Sequence, residues 1–417
     1  MITQFPQLGA TSNPVTVAFD GTNTDAFGRL RVSNPYTLFD SQNRYAADTQ
    51  FDTSTATSGA TTYLPNEATV RMDVTTSSGS EVVRQTYRTF LYQPGKGLLF
   101  MATFAMNAAK TNLRQRVGYF GTQNGVYFQL KDSTKSFVLR SYISGAVDDT
   151  SRKVDQSSWN GDKLDGTGPS GLTLDASTAQ ILWMDFEWLG VGSVRCGFII
   201  NGHFIVCHTY TNANVITSVY MTTAVLPVRY EITNTAATAS TSSLKQICST
   251  VISEGGFEPL SAQTTARRTS KFTNIDTAAN FYPIVSIRLA STALGSVVVP
   301  NRIQFLPLSS QNYEMALIKN PVLTGAAWTA STDVSVEYDI TATAIATIGT
   351  LVQTEYIVST GSGGTPSTVS SIGYNFDLQI GASLAGVSDI YTLGVRTVDG
   401  ATKGDGVGAI GFWNLTM

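Results

Sequence analysis

The chain has 417 residues, with 27 Lys plus Arg against 30 Asp plus Glu, a net charge of −3, 14% charged residues and 10% aromatic ones. Charge this sparse and balanced leaves no basic footprint for nucleic acid and no polybasic reach toward anionic lipid, and the aromatic content excludes a disordered chain. Scarce Lys, Glu and Leu beside abundant Gly, Ser and Thr point to β-structure in two or three domains.

Residues 1–45 read as an extended docking arm. Turn signals at Asn13-Pro14, Asp20-Gly21, Phe27-Gly28 and Asn34-Pro35 come too close together for helices. Phe19, Phe27, Arg29, Arg31, Tyr36 and Phe39 supply the aromatic and Arg character of buried interfaces, either on a neighbouring subunit or on the chain itself. Met1 to Pro6 carry no charged and apolar signal pattern, so no export signal is expected.

Residues 46–258 read as strand after strand: 81–91, 97–105, 115–121, 125–131, 136–143, 180–189, 193–201 and 203–209, separated by turn signals such as Pro94-Gly95 and Asn124-Gly125. The longest nearly apolar stretch, Leu98 to Met106, is broken by Thr103 and suits a buried strand rather than a membrane span. Asn201-Gly202 between two alternating runs predicts a hairpin. Asp148 to Gly171 reads as a long loop. Within it Asp162 and Asp165 suit Asx-turns, and their spacing lacks the alternation of a calcium loop. A hinge is expected over Glu254 to Pro259, with a second, smaller β-sandwich over 259–417. Its strands are expected at 284–289, 302–306, 313–319, 334–338, 354–358, 375–379, 391–398 and 409–415, with a loop from Gly361 to Ser371. Arg267, Arg268 and Lys271 are the one dense basic spot, expected to anchor an interdomain contact.

Cys196, Cys207 and Cys248 make no disulfide framework and suit a reducing cytoplasm. With His203 and His208 the only histidines, the hairpin around Asn201-Gly202 offers Cys and His whose strand parity does not converge, so no metal and no cofactor is expected. No nucleophile elbow, phosphate loop or dinucleotide fingerprint is present.

The most informative string runs from Ile181 to Gly190. Period-two alternation puts Met184, Phe186 and Trp188 toward a core, and Trp183, Asp185 and Glu187 on an open face. Carboxylates at i and i+2 lie roughly 6–7 Å apart along a strand, within the range of glycosidase pairs, about 5–9.5 Å. The string resembles the active strand of the concanavalin-like β-glucanases, Glu-x-Asp-x-Glu followed by an aromatic residue, Leu and Gly. The resemblance puts Asp185 on the assisting Asp and Glu187 on the acid/base, while Trp183 stands where the nucleophilic Glu belongs. It therefore implies a lectin or a degenerate glycoside hydrolase, with Trp183 as a stacking platform, rather than an active enzyme.

Two longer segments, Thr24 to Ser33 leading to Phe39-Asp40-Ser41-Gln42, and Trp159 through Gly202, resemble virion structural proteins of tailed bacteriophages. That resemblance implies a non-enzymatic component of a virion assembled in the host cytoplasm, in the tail, fibre or baseplate apparatus, or alternatively a capsid decoration protein. Its partners would be other virion proteins and a host-surface glycan, with no nucleic acid and no membrane. The arm points to a homo-oligomer, expected as a trimer. The fold class expected is all-β: a concanavalin-like antiparallel sandwich, a second smaller β-sandwich and the N-terminal arm.

Overall fold

The structure, a computed structural model, describes residues 34–276, 281–358, 368–371, 376–398 and 404–416. The chain is all-β, with a concanavalin-like antiparallel sandwich followed by a second β-sandwich, as expected. In the first sandwich, one sheet orders His203–Tyr210, Val194–Ile200, Gln180–Phe186, Leu98–Ala105, Ser242–Ser253, Thr69–Val74 and Ala60–Leu64, with Tyr36–Gln42 added along Ser242–Ser253. The facing sheet orders Lys153–Asp155, Thr134–Arg140, Gly125–Asp132, Lys110–Phe120, Val228–Asn234, Glu81–Thr86 and Phe51–Ala56.

Strict alternation builds the core between them. Phe100, Phe104, Leu182, Met184 and Phe186 from the first sheet meet Val117, Tyr119, Phe128, Phe137 and Tyr230 from the second, all nearly inaccessible. Ring contacts bridge the layers, Tyr119 to Phe186 at 5.4 Å and Phe128 to Phe198 at 5.2 Å. Each such side chain stabilises the fold by roughly 1.5–3 kcal/mol on burial. The second sandwich packs a five-stranded sheet on a six-stranded one around Ile287, Phe305, Leu317, Leu393 and Phe412.

The two sandwiches are docked on each other. Leu91 packs with Val297, Val299 and Leu415 in a separate apolar cluster. Around it Gln379 Nε2 donates to the Thr89 carbonyl at 3.0 Å, Ala382 N–H to the Tyr87 carbonyl at 2.9 Å, and Leu384 N–H to Asp52 at 2.7 Å. The expected hinge is held: Phe257 packs into this cluster and into the first core, and the Glu258 backbone exchanges hydrogen bonds with Gln93. The basic spot has a different role from the expected one. Arg268 stacks on Phe272 at 4.8 Å and Lys271 pairs with Asp405 at 2.8 Å, both inside the second sandwich.

Several boundaries differ from the sequence reading. Residues 376–378 form a single 3-10 turn rather than a strand, and residues 368–371 pair with Arg302–Phe305 instead of belonging to a loop. The arm expectation is corrected at its C-terminal end. Tyr36–Gln42 is a strand of this chain's own sheet, and Phe39 is buried 4.8 Å from Phe90 and 5.9 Å from Phe51. Alternating Leu38, Phe39 and Ser41 inward across a bulge gives that strand a core to pay for its ordering. Tyr36 stays half-exposed on Phe257. Phe19, Phe27, Arg29 and Arg31 lie outside the described residues.

Candidate functional site

Gln180–Phe186 is an inner strand of the first sheet, with Leu98–Ala105 on one side and Val194–Ile200 on the other. Met184 and Phe186 enter the core and Trp188 packs against it, as their parity predicts. Asp185 faces outward and sits in register with Arg195 of the next strand. Arg195 Nε donates to Asp185 Oδ1 at 2.8 Å and its terminal nitrogen donates to Oδ2, a two-point fork that leaves the carboxylate engaged at both oxygens. The pairing raises the Arg195 pKa, with the Asp185 hydrogen bond the main cause and burial opposing it.

Trp183 is not an open platform. Its ring is 2% exposed, meets Phe204 edge to face at 5.4 Å and lies 6.0 Å from the Arg195 guanidinium. Gly197 makes room for it: a Cβ there would stand 2.9 Å from Trp183 Nε1 and 1.9 Å from the Ile205 carbonyl. The hairpin carries a bulge after Cys196, which pairs with His208 rather than with Cys207 and leaves Cys207 turned into the core.

Glu187 lies just past the strand, exposed, and accepts from Ser193 N–H at 3.3 Å and Ser193 Oγ at 3.2 Å. It thereby closes the turn of residues 187–193, in which Leu189 and Gly190 adopt positive φ. Leu189 is left 57% exposed at the rim. Asp185, Glu187 and Arg195, with Glu254 from the end of the Ser242–Ser253 strand and Lys96 from a neighbouring loop, line an open cavity of about 560 Å³. Burial raises the Glu254 carboxyl pKa and the nearby Asp185 charge raises it further, with Arg195 opposing.

The structure thus brings Asp185 and Glu187 to one cavity and sets Trp183 apart beneath Phe204. The sequence reading missed Arg195, Glu254 and Lys96. Arg195 was recoverable, since a hairpin turning at Gly190 puts it opposite Asp185. Glu254 was not, because the strand that delivers it was not predicted. What the cavity offers is a ring of carboxylates and cations around a polar hollow with one aliphatic rim residue. Such a surface accepts from and donates to hydroxyl groups.

No protein-family model matches the sequence, and no curated protein is significantly similar to it. Among solved structures, the chain is similar to the carbohydrate recognition domain of Emp47p, with 12% identity over 57% of this chain and 99% of that one at a TM-score of 0.32. It is also similar to the cellulose induced protein Cip1, with 9% identity over 51% of this chain and 96% of that one at 0.33. Peanut lectin in complex with a 9mer peptide gives 9% identity over 53% and 98% at 0.27. At these scores the likeness lends no weight to a shared activity.

Proposed function

We propose that this chain is a non-enzymatic structural protein that contacts carbohydrate through the cavity formed by Asp185, Glu187, Arg195 and Glu254. The observation that carries the reading is the composition of that cavity. Carboxylates and a half-exposed guanidinium converge on one hollow, a set able to accept from and donate to the vicinal hydroxyls of a sugar. Hydrolysis is disfavoured by the same geometry. Asp185 is tied to Arg195 at both oxygens, and the position of the missing nucleophile is held by buried Trp183. Glycan-array binding by the full chain tests the reading, with Glu254→Gln expected to weaken a hit about tenfold by removing one charged acceptor. An array without hits, or hits indifferent to Glu254→Gln, refutes it. Release of reducing ends from any bound glycan refutes the non-enzymatic part.

A second reading sets that contact in a particle. The resemblance of residues 24–42 and 159–202 to tailed-phage virion proteins supports a component of a tail, fibre or baseplate, or a capsid decoration, built from homo-oligomers, as a trimer, beside other virion proteins. Locating the chain in a reconstructed particle tests this. Its absence from purified virions of the encoding phage refutes it.

A further inference from the structure

The outward face of the second sheet of the first sandwich is unlike the cavity just described. Phe120, Tyr127 and Val138 alternate away from the core, yet each is fully buried in a small cluster of its own. Guanidiniums cover them. Arg116 lies 5.0 Å from the Tyr127 ring, Arg140 lies 5.3 Å from Tyr127 and 5.5 Å from Phe120, and Arg229 lies 5.5 Å from Phe120. Arg114 completes the row two residues before Arg116 on the Lys110–Phe120 strand.

Four cations here meet two carboxylates. Glu231 takes Arg114 at 2.9 Å, Arg229 at 3.1 Å and Arg116 at 3.5 Å, while Asp149 takes Arg140 at 3.1 Å and Arg116 at 3.3 Å. Farther along the face stand one more cation, Lys131 opposite Arg114, and one more carboxylate, Glu81, which accepts from Thr233 Oγ1 at 2.8 Å, so they leave the balance unchanged. The surplus is therefore two positive charges, held on residues of which Arg116 and Arg140 are more than nine-tenths buried. Moreover, Arg140 Nε and Arg114 Nε are buried without a hydrogen-bond partner among the described residues. Neutral acceptors take other donors of the set, Gln129 Oε1 from Arg116 Nε at 3.0 Å, the Gly121 carbonyl from Arg140 Nη1 at 3.0 Å and Gln85 Oε1 from Arg229 Nη1 at 3.1 Å, so the two Nε–H groups are the unspent ones. Desolvated cations in excess of their counter-charges are costly, and an anion that completes the set lowers that cost.

We propose that this arginine face is an oxyanion-binding site, taking a carboxylate or sulfate group at Arg114, Arg116, Arg140 and Arg229. Guanidiniums suit planar carboxylates and sulfate oxygens because their donors form a fixed fork. The group can come from a free inorganic anion or from an acidic sugar. Arg114 and Asp149 are the most exposed members, with side chains 24% and 29% accessible, and mark the side from which it enters.

The test uses the full chain with 15N-labelled arginine. Sodium sulfate and, separately, sodium glucuronate are titrated at constant ionic strength while the arginine Nε–Hε resonances are followed. Saturable shifts confined to these four arginines are expected. Sulfate as the tighter ligand identifies a free inorganic anion, and glucuronate as the tighter one identifies an acidic sugar. Arg114→Gln, the least buried of the four, should weaken binding about tenfold by removing one charge-assisted partner. Asp149→Asn removes a competing carboxylate and should tighten binding about tenfold, a gain that misfolding cannot imitate. Shifts that stay linear up to about 0.1 M of either anion, where simple screening dominates, overturn the proposal. So do affinities unmoved by both substitutions.

Discussion

Glu231→Gln tests how the arginine face is held together. Glu231 is 3% exposed and receives three guanidiniums, from Arg114, Arg116 and Arg229. Burial pushes its carboxyl up, but Arg229, Arg116 and Arg114 together overcome that and hold it at about 2, against an ordinary 4.5. At about 1.4 kcal/mol per pKa unit, this difference is worth about 3 kcal/mol at neutral pH. Breaking a buried ion pair from one side costs a similar about 3–5 kcal/mol, because the partner charges stay behind. Since the folded pKa is depressed, the contribution is complete above pH 4.5 and is lost as the pH falls toward 2. Urea unfolding of the first sandwich, followed through Trp159, Trp183 and Trp188, should show Glu231→Gln less stable by about 3 kcal/mol at pH 7. The gap should shrink steadily below pH 4.5 as the wild-type carboxylate takes up its proton. A gap under about 1 kcal/mol at pH 7, the scale of an exposed pair, or one that does not change with pH, would refute the reasoning.

Two further outcomes are expected. Leu91→Ala should cost about 2–5 kcal/mol by opening a cavity between the sandwiches, and calorimetry should then resolve two unfolding transitions farther apart than in the wild type; unshifted transitions would show that the docking does not depend on this cluster. Removing residues 2–45 should destabilise the first sandwich, relative to removal of residues 2–33 alone, by at least about 3 kcal/mol through loss of buried Leu38 and Phe39; equal urea midpoints for the two truncations would contradict the strand pairing of Tyr36–Gln42.

How far the fold could be read in the sequence depended on how locally each element is specified. The hairpin around Asn201-Gly202 was legible because its turn and both alternating arms lie within eighteen residues, and it falls on Val194–Ile200 and His203–Tyr210. Even there the bulge after Cys196 was not legible, since an inserted residue leaves the alternation of each arm intact and changes only their register. Ser242–Ser253, an inner strand and the longest of the first sandwich, was missed: Lys245, Gln246 and four serines mask its inward Leu244 and Val251. With that strand went Glu254, one of the cavity's three carboxylates.

The arginine face was illegible for a different reason. Its members come from strands more than a hundred residues apart, Arg114 to Arg229, and each taken alone is an ordinary solvated charge at an outward position of a strand. Only pairing Lys110–Phe120 with Val228–Asn234 stacks Arg116 directly opposite Glu231 and turns scattered charge into a desolvated cluster. Trp183 shows the converse. Parity correctly set it on the outward side, but parity says nothing of what a neighbouring hairpin lays over that side, and Phe204 covers it. The same limit applies to the N-terminal segment. Phe39 looked like an interface residue by composition, and the partner it meets is the Ser242–Ser253 strand of its own chain, more than two hundred residues later in sequence. The strand from Tyr36 onward belongs to the sandwich. A particle-incorporation assay therefore has to cut before Asn34, because a cut at residue 45 removes part of the fold along with the arm and cannot separate the two roles.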